Sequence, residues 1–175
     1  YTARGDQIDS DRHGREKPGF FFSEQNIVEE VRDATGLGQA RHPLAYIVEA
    51  CDDMVYSAVD LEDGIKKRVI TWDDLADVFD EGTTGARLVD KAEKNVRCRI
   101  EESGHHGKQL SLEGKDEARA LLFRTYVIGE HVEEVVHTFK KYYDEIMAGT
   151  YGKESEGELL EDGNTSELLG TCKTI

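Results

Sequence analysis

Apolar residues recur at helical steps along most of the chain. Ile27, Val28, Val31 and Ala34 mark a helix that Ser23 caps and that Gly36 and Gly38 end near Thr35. Pro43 fits the first turn of a second helix running to about Lys67, with Lys66, Lys67 and Arg68 at its negative end. Thr71 caps a short helix in TWDDLADVFD, with Asp73 and Asp74 in its first turn. A Gly/Thr loop from Gly82 to Gly85 precedes a helix over 86–102, and ESGHHGKQ reads as a loop. One long helix is predicted from about Asp116 to Ala148. Its apolar stripe is Leu121, Ile128, Val132, Val135, Phe139, Tyr143 and Ile146; Gly129 interrupts it and allows a bend or close packing, and Gly149 follows its end. Residues 150–164 form a polar connection around Leu159–Leu160, and another helix begins at Ser166. The first 22 residues are a polar arm that turns at Pro18–Gly19, with Phe20–Phe22 expected to pack into the core. No run has the period of two that marks a strand, and there is no internal repeat. The class is all-α.

Composition adds limits. A chain of 175 residues suggests one domain, and 38% hydrophobic with 34% charged residues gives a core under a heavily charged surface. No apolar run approaches the ~18–20 residues that span a bilayer, and the first residues lack the apolar segment of a signal peptide. Cys51, Cys98 and Cys172 are odd in number and form no CxxC pair, so they read as reduced thiols and the expected location is cytoplasmic. The formal charge of -15 repels nucleic acid and anionic membranes unless basic groups cluster. It also repels a nucleotide triphosphate, so a phosphate-handling site would need a metal or local Lys and Arg. The plainest reading of this charge is solubility. The chain starts at Tyr1 and stops at Ile175 shortly after a helix begins, which points to a fragment.

The stretch EACDDMVYSAVDLEDGIKK (49–67) holds six acids in one predicted helix: Glu49, Asp52, Asp53, Asp60, Glu62 and Asp63. At ~100° per residue, Asp52, Tyr56 and Asp60 form one stripe at i, i+4, i+8. Leu44, Ile47, Val48, Cys51, Met54, Val55, Ala58 and Leu61 fill the opposite, apolar arc. Acidic helix faces are usually solvated. Yet like charges at i, i+4 repel by a few tenths of a kcal/mol, Asp is a poor helix former, and no basic partner follows until Lys66. That cost without structural gain hints at function, and Asp is a compact oxygen donor suited to hard divalent cations.

These residues resemble a known family. RHPLAYIVEACDDMVYSAVDLEDGIKKRVITW is similar to a segment of the bacterial deoxyguanosinetriphosphate triphosphohydrolases, the dGTPase-like branch of the HD-domain phosphohydrolases. That segment reads R-x-PL-x-Y-x-x-EAADDI-x-YS-x-x-DLEDG. Upstream, KPGFFFSE resembles K-x-G-F/Y-F-x-SE. Downstream, LLFRTYVIGEHVEEVVHTF…YDEIMAGTY…ELL resembles the family's C-terminal helical region. The resemblance covers nearly the whole chain, and the acidic helix is its most specific part. It implies the C-terminal portion of a multi-helix HD-domain-like phosphohydrolase, with residues 1–70 closing the catalytic domain and 71–175 forming a C-terminal helical region.

The resemblance also implies an activity: hydrolysis of a deoxynucleoside triphosphate such as dGTP to the deoxynucleoside and triphosphate. A divalent metal, Mg or Mn, organises water attack on the α-phosphorus. By the same resemblance Asp52 is the distant metal ligand, Tyr56 lies against the deoxyribose, Asp60 accepts a hydrogen bond from the 3′-hydroxyl, and Arg124 is a candidate for the triphosphate. Cys51 stands where the family has Ala. The family tends to form oligomers, so a homo-oligomer is expected. The chain departs from the pattern in its histidines. None of His13, His42, His105, His106, His131 and His137 precedes an Asp, so the first His and the His-Asp pair of the metal site should lie before residue 1. The expectation is an inactive fragment of an enzyme.

Other groups have plainer readings. His131, beside Glu130, reads as a surface or interface residue. Arg124 could equally join an inter-helix salt bridge. Lys91, Lys94, Arg97 and Arg99 cluster on the 86–102 helix without a motif. Glu49, Asp53, Glu62 and Asp63 are left as structural or supporting groups. Two other functions stay open: a non-catalytic acidic interaction or regulatory module, and an HD phosphohydrolase with another substrate.

Overall fold

A computed structural model describes residues 3–4, 18–38, 40–103, 111–152 and 157–175. His13, His105, His106 and most of the ESGHHGKQ loop lie outside the described residues. The helices are α1 (Gln25–Thr35), α2 (Pro43–Lys66), α3 (Trp72–Asp77), α4 (Thr84–Ser103), α5 (Leu112–Lys141), α6 (Tyr143–Ala148) and α7 (Ser166–Thr174). The all-α expectation holds, with one small exception. Ala3–Arg4 (β1) pairs in parallel with Pro18–Phe20 (β2), and a single turn of 3-10 helix follows at Phe22–Glu24. Two- and three-residue strands are too short to show a period, so the sequence pattern could not reveal them. Among the described residues no helix is long and apolar enough to cross a membrane.

The chain divides into two compact units, Tyr1–Ala50 with Val135–Gly163, and Cys51–Glu134 with Asn164–Ile175. The second unit has a continuous core. Ala58, Leu61 and Ile65 of α2 meet Trp72 and Leu75 of α3, Leu88 and Ala92 of α4, Phe123 and Val127 of α5, and Leu168 and Cys172 of α7. Trp72 and Phe123 pack edge-on at 6.1 Å, and the Trp72 indole N–H donates to Glu93 at 2.9 Å. Thr71 caps α3 as expected: its hydroxyl accepts from the Asp74 N–H at 3.1 Å, while the Asp74 carboxylate accepts from the Thr71 N–H at 2.9 Å and hydroxyl at 2.6 Å. These bonds hold the Asp74 carboxyl below the usual range. Gly85, in the first turn of α4, is required by crowding, since a Cβ there would lie 2.0 Å from the Phe79 ring.

The first unit is smaller and centred on tyrosines. The Tyr151 ring sits 5.3 Å from Tyr46 and 5.1 Å from Tyr142, and its hydroxyl donates to Asp162 at 2.5 Å. Arg41 lies over the Tyr46 ring and pairs with Glu49 at 2.7 Å. Leu159 and Leu160, the apolar pair in the polar connection, are buried. Gly149 ends α6 with a φ of 69°, where a Cβ would also meet Ala40 at 2.6 Å.

Several expectations are corrected here. The long helix is two: it breaks at Tyr142, whose φ of -104° is not helical, and not at Gly129, which is exposed with open space beside it. The buried stripe of α5 is Ala120, Phe123, Val127, His131, Val135 and Thr138, while Leu121 and Val132 face water. His131 is therefore interior, not a surface residue. Phe21 and Phe22 are exposed rather than packed in the core, and Phe20 lies under Arg32. Ser23 does not cap α1; the Glu24 carboxylate accepts from the Phe21 N–H at 2.8 Å.

On α2, Met54, Ala58 and Leu61 are inside as expected, but Leu44, Val48, Cys51 and Val55 are exposed. The buried face is rotated to take in Tyr46, Ser57 and Glu62. Such a shift is tolerable because each polar group taken inward has a partner or an amphipathic body.

Candidate functional site

The acidic stripe lies on α2 within the second unit. The helix starts with His42 Nδ1 accepting from the Leu44 N–H at 3.1 Å, beside Pro43. It ends at Arg68, a non-glycine residue with a φ of 60°. The Arg68 N–H reaches the Ile65 carbonyl and the Val69 N–H the Gly64 carbonyl. Between these ends the residues sort by angle. Asp52, Tyr56 and Asp60 are exposed on one side; Met54, Ala58, Leu61 and Ile65 anchor the other in the core.

Tyr56 and Asp60 line the same open cavity of about 340 Å³, with Ser57, Val69, Lys173 and Ile175. Its lining combines one carboxylate (Asp60), one ammonium (Lys173) and two hydroxyls (Tyr56, Ser57) with an otherwise mostly apolar floor. Cys172 also reaches the lining, but burial pushes its thiol up to about 12, so it is a neutral wall at pH 7 and no nucleophile.

Asp52 does not line this cavity. It stands one helical turn before Tyr56, exposed. Its neighbour Asp53 is half-buried and pairs with Lys173 at 3.3 Å. Among the described residues no three His, Cys, Asp or Glu side chains converge as an ion-binding set. A hard divalent cation takes six or more oxygen ligands. Asp52 alone is one, so the described residues do not by themselves make a metal site.

Arg124 is placed apart from the stripe. Its guanidinium pairs with Glu62, whose other oxygen takes Lys66 at 2.5 Å. Glu62 follows Asp60 by two residues, roughly 160° around the helix. Arg124 thus neutralises a carboxylate that is only 2% exposed, the inter-helix salt bridge weighed for it from sequence. The supporting acids are all paired: Glu49 with Arg41, Asp53 with Lys173, Glu62 with Lys66 and Arg124, and Asp63 with Lys67.

The sequence reading missed two residues. Lys173 enters the cavity wall from α7, more than a hundred positions from Tyr56 in the chain, and no local pattern announces that meeting. His131 is wholly buried, with Nδ1 3.1 Å from Thr165 Oγ1 and Nε2 without a hydrogen-bond partner among the described residues. Burial, helped by the nearby Lys173 charge and opposed by Glu130 and Glu134, lowers its pKa to about 4.

No family model matches the chain. It is similar to curated proteins over most of its length. The deoxyguanosinetriphosphate triphosphohydrolase-like protein of Listeria monocytogenes is 27% identical over 155 residues, 87% of this chain and 30% of that protein. The probable deoxyguanosinetriphosphate triphosphohydrolase of Pseudomonas aeruginosa is 27% identical over 97% of this chain and 34% of its own length. The deoxyguanosinetriphosphate triphosphohydrolase of Serratia proteamaculans is 29% identical over 91% of this chain and 30% of its own length. The chain spans about a third of the length of these curated relatives. The resemblance carried by the acidic helix therefore extends along nearly the whole chain, to proteins named deoxyguanosinetriphosphate triphosphohydrolase in three bacteria.

Proposed function

We propose that this chain is the sugar-recognising part of a deoxynucleoside triphosphate triphosphohydrolase, which converts dGTP and water to deoxyguanosine and triphosphate. The observation that carries the reading is the shared cavity of Tyr56 and Asp60, one turn apart on α2. The names of the curated relatives support the substrate class.

In this reading the Tyr56 ring packs against the 2′-carbon of the sugar and leaves no room for a 2′-hydroxyl. Asp60, one turn on, accepts a hydrogen bond from the 3′-hydroxyl. A hydrogen bond to a charged acceptor contributes about 1.5–3 kcal/mol, so it is a main determinant of nucleoside affinity. Asp52 offers one carboxylate to a divalent cation, Mg or Mn, whose other ligands come from outside these residues. Arg124 contributes by holding Glu62, and so the inner face of α2, in place.

Calorimetric titration with deoxyguanosine, guanosine and 2′,3′-dideoxyguanosine tests the reading without any metal. Deoxyguanosine should bind at least tenfold more tightly than either analogue, and Asp60→Ala should remove the preference over the dideoxynucleoside. Equal binding of all three would end the sugar assignment. Triphosphate release from a panel of nucleotides then separates dGTP hydrolysis from an HD phosphohydrolase with another substrate.

A second reading has one observation in its favour. Leu44 and Val48 on α2, with Ile27 and Val31 on α1, are large apolar residues facing water in the first unit. Such exposure suits an interaction module. It is equally expected of an enzyme part that packs against further polypeptide.

A further inference from the structure

We propose that His131 is an acid-sensitive latch: protonation of its imidazole releases α7 from the second unit, while α3, α4 and α5 stay packed.

The latch is one contact between two elements. His131 is wholly buried on α5, and its Nδ1 lies 3.1 Å from Thr165 Oγ1. Thr165 stands at the start of α7, where its carbonyl accepts from the Leu169 N–H at 3.0 Å. The imidazole therefore holds the first turn of α7. Leu168, Leu169 and Cys172 complete the buried side of this nine-residue helix. The rest of the unit has its own ties, since Phe123 of α5 packs on Trp72 and Phe79. α7 is thus the element that can leave without dissolving the core.

An imidazolium carries an N–H on both nitrogens. Nδ1–H can donate to Thr165, but Nε2 has no hydrogen-bond partner among the described residues. A buried cationic donor without an acceptor is costly. The surrounding charges do not offset that cost. Glu130 and Glu134, on α5 itself, favour the cation, and Lys173 of α7 opposes it. Glu130 is engaged by Arg87 of α4 at 3.1 Å, and Glu134 by the Asn164 amide at 3.2 Å. Cys172 of α7 is neutral and supplies no counter-charge. Burial prevails and lowers the pKa to about 4. Once α7 lifts away, the ring meets water and takes up its proton at the ordinary 6.5. Acid therefore favours the lifted state. Cys172, Lys173 and Ile175 line the Tyr56–Asp60 cavity, so release removes that wall and bares the Cys172 thiol.

The test labels the thiols of the full chain at micromolar concentration with 4,4′-dithiodipyridine. Cys98 is exposed and serves as the internal reference. From pH 7 to pH 5 the Cys172 rate, taken relative to Cys98, should rise about twentyfold. Hydrogen exchange should show the same loss of protection in α7, with α3 and α4 unchanged. His131→Gln keeps a polar group beside Thr165 but does not titrate, and its Cys172 ratio should change less than threefold. His131→Leu, which fills the space without a polar atom, should behave alike and serves if the amide is not tolerated. A flat wild-type ratio would overturn the proposal. So would an equal rise in both variants, which would assign the effect to another group. Equal loss of protection in α3 and α4 would mean that acid unfolds the whole unit, and would also overturn it.

Discussion

His131 of α5 and Thr165, just before α7, meet inside the second unit, with Nδ1 and Oγ1 3.1 Å apart and His131 wholly enclosed. The imidazole is neutral there, with its pKa lowered to about 4 from 6.5. The folded pKa lies below the unfolded one, so below pH 6.5 the unfolded chain binds a proton that the folded chain refuses. Stability from this residue is complete above pH 6.5 and falls as the pH drops towards 4. The loss should reach about 3 kcal/mol by pH 4, of which about 2 kcal/mol falls between pH 7 and pH 5. Urea unfolding at pH 7 and pH 5 checks this, with His131→Leu as the comparison. The variant should lose less stability on acidification. An NMR titration giving His131 a pKa near 6.5 would refute the account.

Gly85 leaves room for the Phe79 ring, and Phe79 in turn packs on Phe123 at 5.6 Å. Gly85→Ala should cost about 1–3 kcal/mol by overpacking, despite the better helix propensity of Ala. Gly129→Ala, in open space on α5, should stabilise by up to about 1 kcal/mol. Thermal melts of the two variants should move in opposite directions.

Glu62 is a buried carboxylate shared by Lys66 and Arg124. Removing the guanidinium in Arg124→Met leaves it half-compensated, and the loss should be about 3 kcal/mol. The double variant Glu62→Met with Arg124→Met should recover most of that loss. A single variant that left stability intact and weakened only nucleotide binding would instead return Arg124 to the ligand.

Tyr56 is 64% exposed, so replacing it should scarcely alter folding. Tyr56→Phe should keep the preference for deoxyguanosine over guanosine, and Tyr56→Ala should narrow it about tenfold, the effect of losing ~1.4 kcal/mol of packing discrimination. Both are read from nucleoside titrations.

Some helix ends were legible because their signals are local, whereas the Ser23 cap and the break at Tyr142 were not. Pro43, the Thr71–Asp74 capping box and Gly149 each act within a few residues. Burial faces were less so. Val135 and Ile146 of the expected stripe are buried, but His131, Thr138 and Ala120 also occupy inward positions of α5 while Leu121 and Val132 face water, so ranking residues by hydrophobicity recovered only part of the stripe. Neighbouring elements set that choice, and they are distant in sequence. The end of α2 near Lys67 was legible too, although Arg68 closes it in a left-handed conformation usually left to glycine. The cavity shared by Tyr56 and Asp60 follows from the i, i+4 spacing, but its cationic wall required α7 to fold back. That return is tertiary and leaves no trace in a local window.

Phe21, Phe22, Ile27, Val31, Leu44 and Val48 all meet water in the first unit. Mutual repulsion between highly negative copies is what opposes their coalescence. That repulsion fades as the carboxylates are neutralised towards the isoelectric point near 4.8. Clouding of a concentrated sample on acidification should therefore precede denaturation, and acid titrations of the buried imidazole call for micromolar protein.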